Sequence, residues 1–227
     1  MVSPMPKTEE PVAPEAEVAE ILIRLGAVTL SPREPYTWSS GVRSPIYCDN
    51  RRLLGHPRER SRIEDLWSQL ILSRSPSAEV LAAVATAGIP HAAYLSERLG
   101  LPMVYVRSGA KGHGLGKTVE GGLRPGARAV IIEDLFSSGG STLNTRAELL
   151  KAGARVESAC AIVSYGLAAQ RESFEAVSLP WFTLTNLGAI KEAALRLGSL
   201  TQEELRLIDQ GMASVEAQLS QRGAPVA

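Results

Sequence analysis

A chain of 227 residues with 44% hydrophobic and 21% charged side chains is long enough to bury a core without disulfide or metal staples. Its 24 Lys and Arg balance its 24 Asp and Glu, which argues against a nucleic-acid binder held by bulk positive charge, and no apolar run approaches the ~20 residues of a membrane-spanning helix. Cys48 and Cys160 are too few for a disulfide scaffold and lack zinc-ligand spacing, and the N-terminus has no signal-peptide pattern, so the expected location is the cytoplasm.

Residues 1–14, with four prolines and two glutamates, predict a disordered tail. Val18, Ile21, Leu22 and Leu25 fall at helical spacing, and Gly26 is placed to end that helix. A second amphipathic helix starts near Pro57, with Ile63, Leu66, Trp67, Leu70 and Ile71 on one stripe. Strands are predicted at 79–85 and 102–106 around a helix at 89–99, followed by a strand buried on both faces at 127–133. A helix over 141–152 closes at Gly153, and a strand at 156–164, a helix at 167–175, a strand at 180–185 and a helix at 187–197 follow. A last helix opens at Thr201 with the capping box Thr201–Glu204 and runs to about 220. This alternation predicts an α/β fold, a mostly parallel central sheet with helices on both faces. Ligands in such sheets bind beyond the carboxyl ends of the strands, which points to the segments after 85, 106 and 133.

The third of these carries the most information. In AVIIEDLFSSGGST (129–142) a buried strand runs into Glu133 and Asp134, then into Ser137, Ser138, Gly139, Gly140, Ser141 and Thr142, then into a helix. Successive N–H groups at a helix N-terminus, strengthened by hydroxyls, hold an anion, and the glycines let backbone approach it closely. Two carboxylates would repel a phosphate, so they suit sugar hydroxyls instead. A phosphate cradle beside a diol acceptor describes a site for a ribose 5-phosphate. The chain has no GxxxxGK[ST] and no G-x-G-x-x-G after a strand, which disfavours a triphosphate P-loop and a dinucleotide fold.

This stretch resembles the diphosphate-sugar signature of type I phosphoribosyltransferases. Two more stretches resemble one branch, orotate phosphoribosyltransferase: YTWSSGVRSPIYCDNRRLLGHP (36–57) and VYVRSGAKGHGLGK (104–117). The resemblance spans roughly residues 15–200. It implies a hood of elements from 15–56 over the base site, an α/β core over 57–200 and a C-terminal helix over 201–220. It also implies transfer of ribose 5-phosphate from phosphoribosyl diphosphate to N1 of orotate, with Mg²⁺ held by diphosphate and ribose oxygens rather than by a committed protein ligand.

Roles follow residue by residue from the resemblance. Lys111, Asp134 and Glu133 would be catalytic, cations at the departing diphosphate and acids near the ribose. Arg107, Lys111, His113, Thr86 and the Ser137–Ser141 loop, including Ser138, Gly139 and Gly140, would bind phosphoribosyl diphosphate. Arg107, Lys111, His113 and Lys117 lie in a stretch with glycines at 109, 112, 114 and 116, a composition that by itself describes a solvated turn and with the resemblance describes a mobile loop. That loop would reach the neighbouring subunit's site in a homodimer. Ala83–Pro90 resembles the family's pyrophosphate loop, with Ala87 where some members carry lysine. The family occasionally carries lysine at the position of Ser39 and usually carries one at that of Ser108 or Gly109, so the chain departs from the family pattern just after Arg107. Orotate would be met by Ser40, Gly41, Arg43, Tyr47 and Ser137, with its carboxylate on backbone N–H groups or Arg43. Asp49 and Arg51 serve equally well as a structural ion pair. Trp67, Trp181 and Phe182 are expected in the core, and Cys160 inert in a strand. A purine phosphoribosyltransferase would lack the 36–51 element, and a diphosphate-sugar-sensing regulator would add a basic face that the balanced charge does not supply.

Overall fold

The computed structural model describes residues 13–107 and 118–221. Helix α1 (Pro14–Arg24) is followed by β1 (Val28–Leu30), β2 (Tyr36–Thr37), β3 (Arg43–Ser44), β4 (Ile46–Cys48) and a 3-10 turn, Asn50–Gly55. Then come α2 (Pro57–Arg74), β5 (Val80–Val84), α3 (Gly88–Leu99), β6 (Met103–Val106) and β7 (Val119–Glu120). The chain continues through β8 (Arg128–Phe136), α4 (Gly140–Lys151), β9 (Arg155–Ser164), α5 (Ala168–Ala176), β10 (Trp181–Asn186), α6 (Leu187–Arg196) and α7 (Gln202–Gln221).

Six strands form the central sheet in the order β10-β9-β8-β5-β6-β7. All neighbours are parallel except the short edge strand β7, which is antiparallel to β6. The central strands read as unbroken apolar runs because both faces are covered. Val130 and Ile132 of β8 join the core formed with α1, α2, α3, α6 and α7, while Ala129 and Ile131 join the one formed with α4 and α5. Trp67 is fully buried on the first face, its indole N–H directed at the Cys160 sulfur. Phe136, Phe174 and Trp181 meet edge to face on the second, with Phe136 and Phe174 centroids 5.3 Å apart.

The predicted helices and long strands are present, with shifted ends. Pro14 is not tail but the first residue of α1, where its missing N–H costs nothing; residues 1–12 lie outside the described part. Strand β8 runs three residues beyond the predicted end, so that Asp134, Leu135 and Phe136 follow Glu133 alongside β9. The capping box at α7 is made: Glu204 N–H donates to Thr201 Oγ1 at 3.2 Å, and Thr201 N–H donates to Glu204 Oε2 at 3.0 Å. The short pairs β1–β4 and β2–β3, and the edge strand β7, were not anticipated; at two or three residues they are too short for a period-2 pattern. Residues 15–56, grouped by sequence as one hood, divide: α1 packs on α6 and β10, while β3 lies against α7. No described helix is long and apolar enough to cross a membrane.

Candidate active site

After β5 the chain moves to β6 on one side of it, and later to β8 on the other. The carboxyl ends of β5 and β8 therefore flank a topological switch point, where an open α/β sheet leaves a crevice. Thr86 follows β5, Arg107 follows β6 and Ser137 follows β8, so the three segments singled out by sequence converge on one edge. The crevice is kept tight by Gly88: a Cβ there would stand 2.4 Å from the Ile132 carbonyl oxygen of β8. Thr86 is exposed beside it, and the Ala85–Thr86 peptide is cis.

The two acids are not equivalent. Glu133 is 5% exposed and faces the first turn of α4, where Ser141 Oγ donates to Oε2 at 2.9 Å and the Asp134 N–H donates to Oε1 at 3.0 Å. Burial, then the Asp134 charge, pushes its carboxyl well above the usual range. Asp134 is half-buried, its carboxyl close to that of Glu133 and close enough to Cys48 and Tyr165 to raise both of their proton affinities, although burial is the larger cause for each. Its backbone carbonyl accepts a 2.8 Å hydrogen bond from Asn50 Nδ2, which ties the sheet end to the 3-10 turn. Ser141, expected as a phosphate contact, thus has its hydroxyl proton directed at Glu133, leaving its N–H at the helix start for an anion.

The loop before α4 owes one glycine to packing. Gly139 has φ +84°, and a Cβ there would stand 2.6 Å from Phe174 Cε1, so the residue lets the loop lie against that ring. The first N–H groups of α4 then open toward the cleft with no intrahelical partner.

That cleft has a volume of about 380 Å³ and joins Ser137, Ser138 and Ser141 to Ser39, Ser40 and Tyr47. Its apolar walls come from Trp38, Cys48, Leu135, Tyr165 and Leu219. Trp38 and Tyr165 stack with centroids 5.4 Å apart and planes at 14°, and Trp38 Nε1 donates to the Ile46 carbonyl at 3.0 Å. Gly41, at φ +78°, turns the β2–β3 hairpin that presents Ser39 and Ser40. Arg43 is exposed, and its backbone N–H is taken by Gln218 Oε1 at 3.0 Å, which leaves only its guanidinium for a ligand. Asp49 and Arg51 form the ion pair, at 2.5 Å.

Arg107 lies 3.7 Å from Glu120, and its N–H donates to the Thr118 carbonyl at 3.0 Å. Lys111 and His113, with the rest of 108–117, lie outside the described residues. Sequence reasoning missed Trp38, Tyr165, Leu135 and Leu219 as cleft residues. Tyr165 was within reach, because it directly follows β9 and the carboxyl-end rule applies there too. Leu219 carries no local signal; long-range packing of α7 places it.

Comparison with known proteins matches residues 49–193 to the phosphoribosyl transferase domain family. The chain is 49% identical over 194 residues to orotate phosphoribosyltransferase of Bacillus caldolyticus, covering 86% of this chain and 94% of that one. It is 48% identical over 189 residues to the enzyme of the same name from Halalkalibacterium halodurans, covering 83% and 90%. The crystal structure of orotate phosphoribosyltransferase from Aeropyrum pernix superposes with a TM-score of 0.69 at 33% identity, covering 81% of this chain and 99% of that one.

Proposed function

Because the chain belongs to the orotate phosphoribosyltransferases, which make orotidine 5′-monophosphate and pyrophosphate in pyrimidine biosynthesis, we propose a division of labour along its cleft. The observation that carries it is the continuity of the cleft, from the α4 N-terminus to the Trp38–Tyr47–Tyr165 wall. The 5-phosphate takes the N–H groups of Ser137–Ser141 and the hydroxyls of Ser137 and Ser138. The flat base lies against Tyr47 with Ser40, Gly41 and Ser137 at its edge, and the Arg43 guanidinium meets its carboxylate. Asp134, on the cleft side, accepts ribose hydroxyls and offsets the positive charge that develops on the ribose. Glu133 holds Ser141 and the strand end in place and reaches the sugar through them.

The leaving diphosphate takes Thr86, the N–H groups of its loop, and Arg107, Lys111 and His113. Mg²⁺, when bound, neutralises charge on that diphosphate. The described residues hold no group of three His, Cys, Asp or Glu that would cage a cation, and the half-buried Asp134 is the oxygen donor at the sheet end, which suits a hard ion that keeps its waters and substrate oxygens. The unit is a cytoplasmic homodimer in which the 107–117 segment of one subunit serves the other.

The test follows orotate absorbance with phosphoribosyl diphosphate and Mg²⁺, against adenine as the competing base. Orotate alone should be consumed. Tyr47→Ala should raise KM for orotate about tenfold, the worth of a stacked aromatic face, with KM for phosphoribosyl diphosphate unmoved. Equal changes in both constants would overturn this placement of the base.

A further inference from the structure

The phosphoribosyl transferase domain match ends at residue 193, yet Leu219 of α7 lines the cleft, and the element that faces it, β2–β3, precedes the match at residue 49. Both lie on the base side. The sugar-phosphate machinery sits inside the shared region, and the flanks join Ser137 and Tyr165 from within it around the base.

The contact between the two flanks is specific. Trp38 N–H bonds to the Val42 carbonyl inside the hairpin, so the polar groups of Arg43 emerge on its outer edge. Gln218 meets both of them: Oε1 accepts from Arg43 N–H at 3.0 Å, and Nε2 donates to the Arg43 carbonyl at 3.1 Å. One side-chain amide thereby does what a third strand would do at a bare edge. One residue on, Leu219 reaches the cleft itself. Lower on α7, Gly211 allows the helix to lie on Pro45, where a Cβ would stand 2.7 Å from the proline Cγ. The helix has a firm footing, since Ile208 and Val215 are fully buried and Glu216 Oε1 accepts the Ala168 N–H at 2.8 Å.

We infer that α7 is a specificity element of the base site: Gln218 is a positioning residue that fixes Arg43, and Leu219 is the apolar wall that admits a flat anionic pyrimidine. The inference rests on the placement of the base given above. Gln218 acts through Arg43. Holding the backbone at that position limits where the guanidinium swings and aims it at a carboxylate on the ring. Leu219 touches the base directly and sets the depth available to it.

The experiment measures KM for each substrate, kcat and melting temperature in Gln218→Met, Leu219→Phe, Arg43→Ala and the double variant Gln218→Met/Arg43→Ala. Methionine keeps the length of the side chain and removes both hydrogen bonds. Gln218→Met should raise KM for orotate about tenfold, the worth of two neutral hydrogen bonds, with kcat and KM for phosphoribosyl diphosphate unchanged. Leu219→Phe should also raise KM for orotate alone. In the Arg43→Ala background, Gln218→Met should add almost nothing, because its effect passes through the missing guanidinium. A purely structural clamp gives a different result: a lower melting temperature, both KM values moving together, and additive losses in the double variant. That result overturns the inference. If Arg43→Ala and Tyr47→Ala both raise KM for orotate while Gln218→Met and Leu219→Phe do not, the base site stands and the role of α7 falls. If none of the four moves it, the base lies elsewhere and both readings fall.

Discussion

Glu133 shows how little of a residue's role its neighbours in sequence reveal. Two adjacent acids at the end of a buried strand read as a matched pair, and that reading located the site. What separates them is burial and partners: Glu133 is buried on Ser141 at the foot of α4, while Asp134 is half-buried near Cys48 and Tyr165. The raised proton affinity of Glu133 has a consequence for stability. Between the ordinary carboxylate range and its native value, the folded chain binds more protons than the unfolded one, so stability falls as pH rises through that window. Glu133→Gln removes the fall. Ser141 Oγ turns from donor to acceptor, the packing is kept, and the melting temperature at neutral pH should rise by roughly 2–4 °C, the response to about 1 kcal/mol in a chain of this size. Below the ordinary carboxylate range the gain should vanish. Asp134→Asn should instead leave stability nearly unchanged and lower kcat/KM about ten- to a hundredfold through loss of a charge-assisted contact. Melting curves against pH and steady-state kinetics of the two variants check both statements. A melting temperature for Glu133→Gln below that of the parent at neutral pH would show that the charged form is the stabilised one.

Among the elements, those longer than about five residues with a clear period were legible: α2, α3, α4, β5, β8, β9 and α7 stand where hydrophobic spacing and caps put them. What escaped was held by partners far away in sequence. The hairpin β2–β3 has two residues a side and depends on α7, 175 positions further on at the Arg43–Gln218 contact. The loop between β8 and α4 reads as glycine-rich for a ligand, and Gly139 also answers to Phe174 beneath it. Gly139→Ala therefore carries two separable faults, a left-handed φ and a Cβ inside a ring. It should cost about 1–3 kcal/mol in denaturant unfolding and raise KM for phosphoribosyl diphosphate about tenfold as the loop shifts. Adding Phe174→Leu should recover part of the stability, because it relieves the ring and leaves the backbone fault. No recovery in the double variant would assign the whole effect to φ.

For the whole molecule, the fold class was legible because alternating strands and helices admit few solutions, and the sheet order then places the crevice at β5 and β8. Subunit exchange tests the proposed homodimer. Lys111→Ala and Asp134→Asn homodimers should each be nearly inactive. Random re-pairing gives about half mixed dimers, each with one site in which an intact Asp134 meets the partner subunit's Lys111. Activity should recover to about a quarter of the parent. With mixed dimers confirmed by mass, an unchanged baseline would place Lys111 in its own subunit's site.

The 3.0 Å bond from Arg107 N–H to the Thr118 carbonyl closes the chain on itself at the edge of the sheet. The two ends of the intervening segment are thus held at one point, and any flexible chain closed between fixed ends carries an entropic cost. That entropy grows with the logarithm of length, about 0.6 kcal/mol for a doubling. An insertion or deletion of a few residues between Arg107 and Thr118 that keeps Lys111 and His113 should therefore leave the stability of the sheet nearly unchanged.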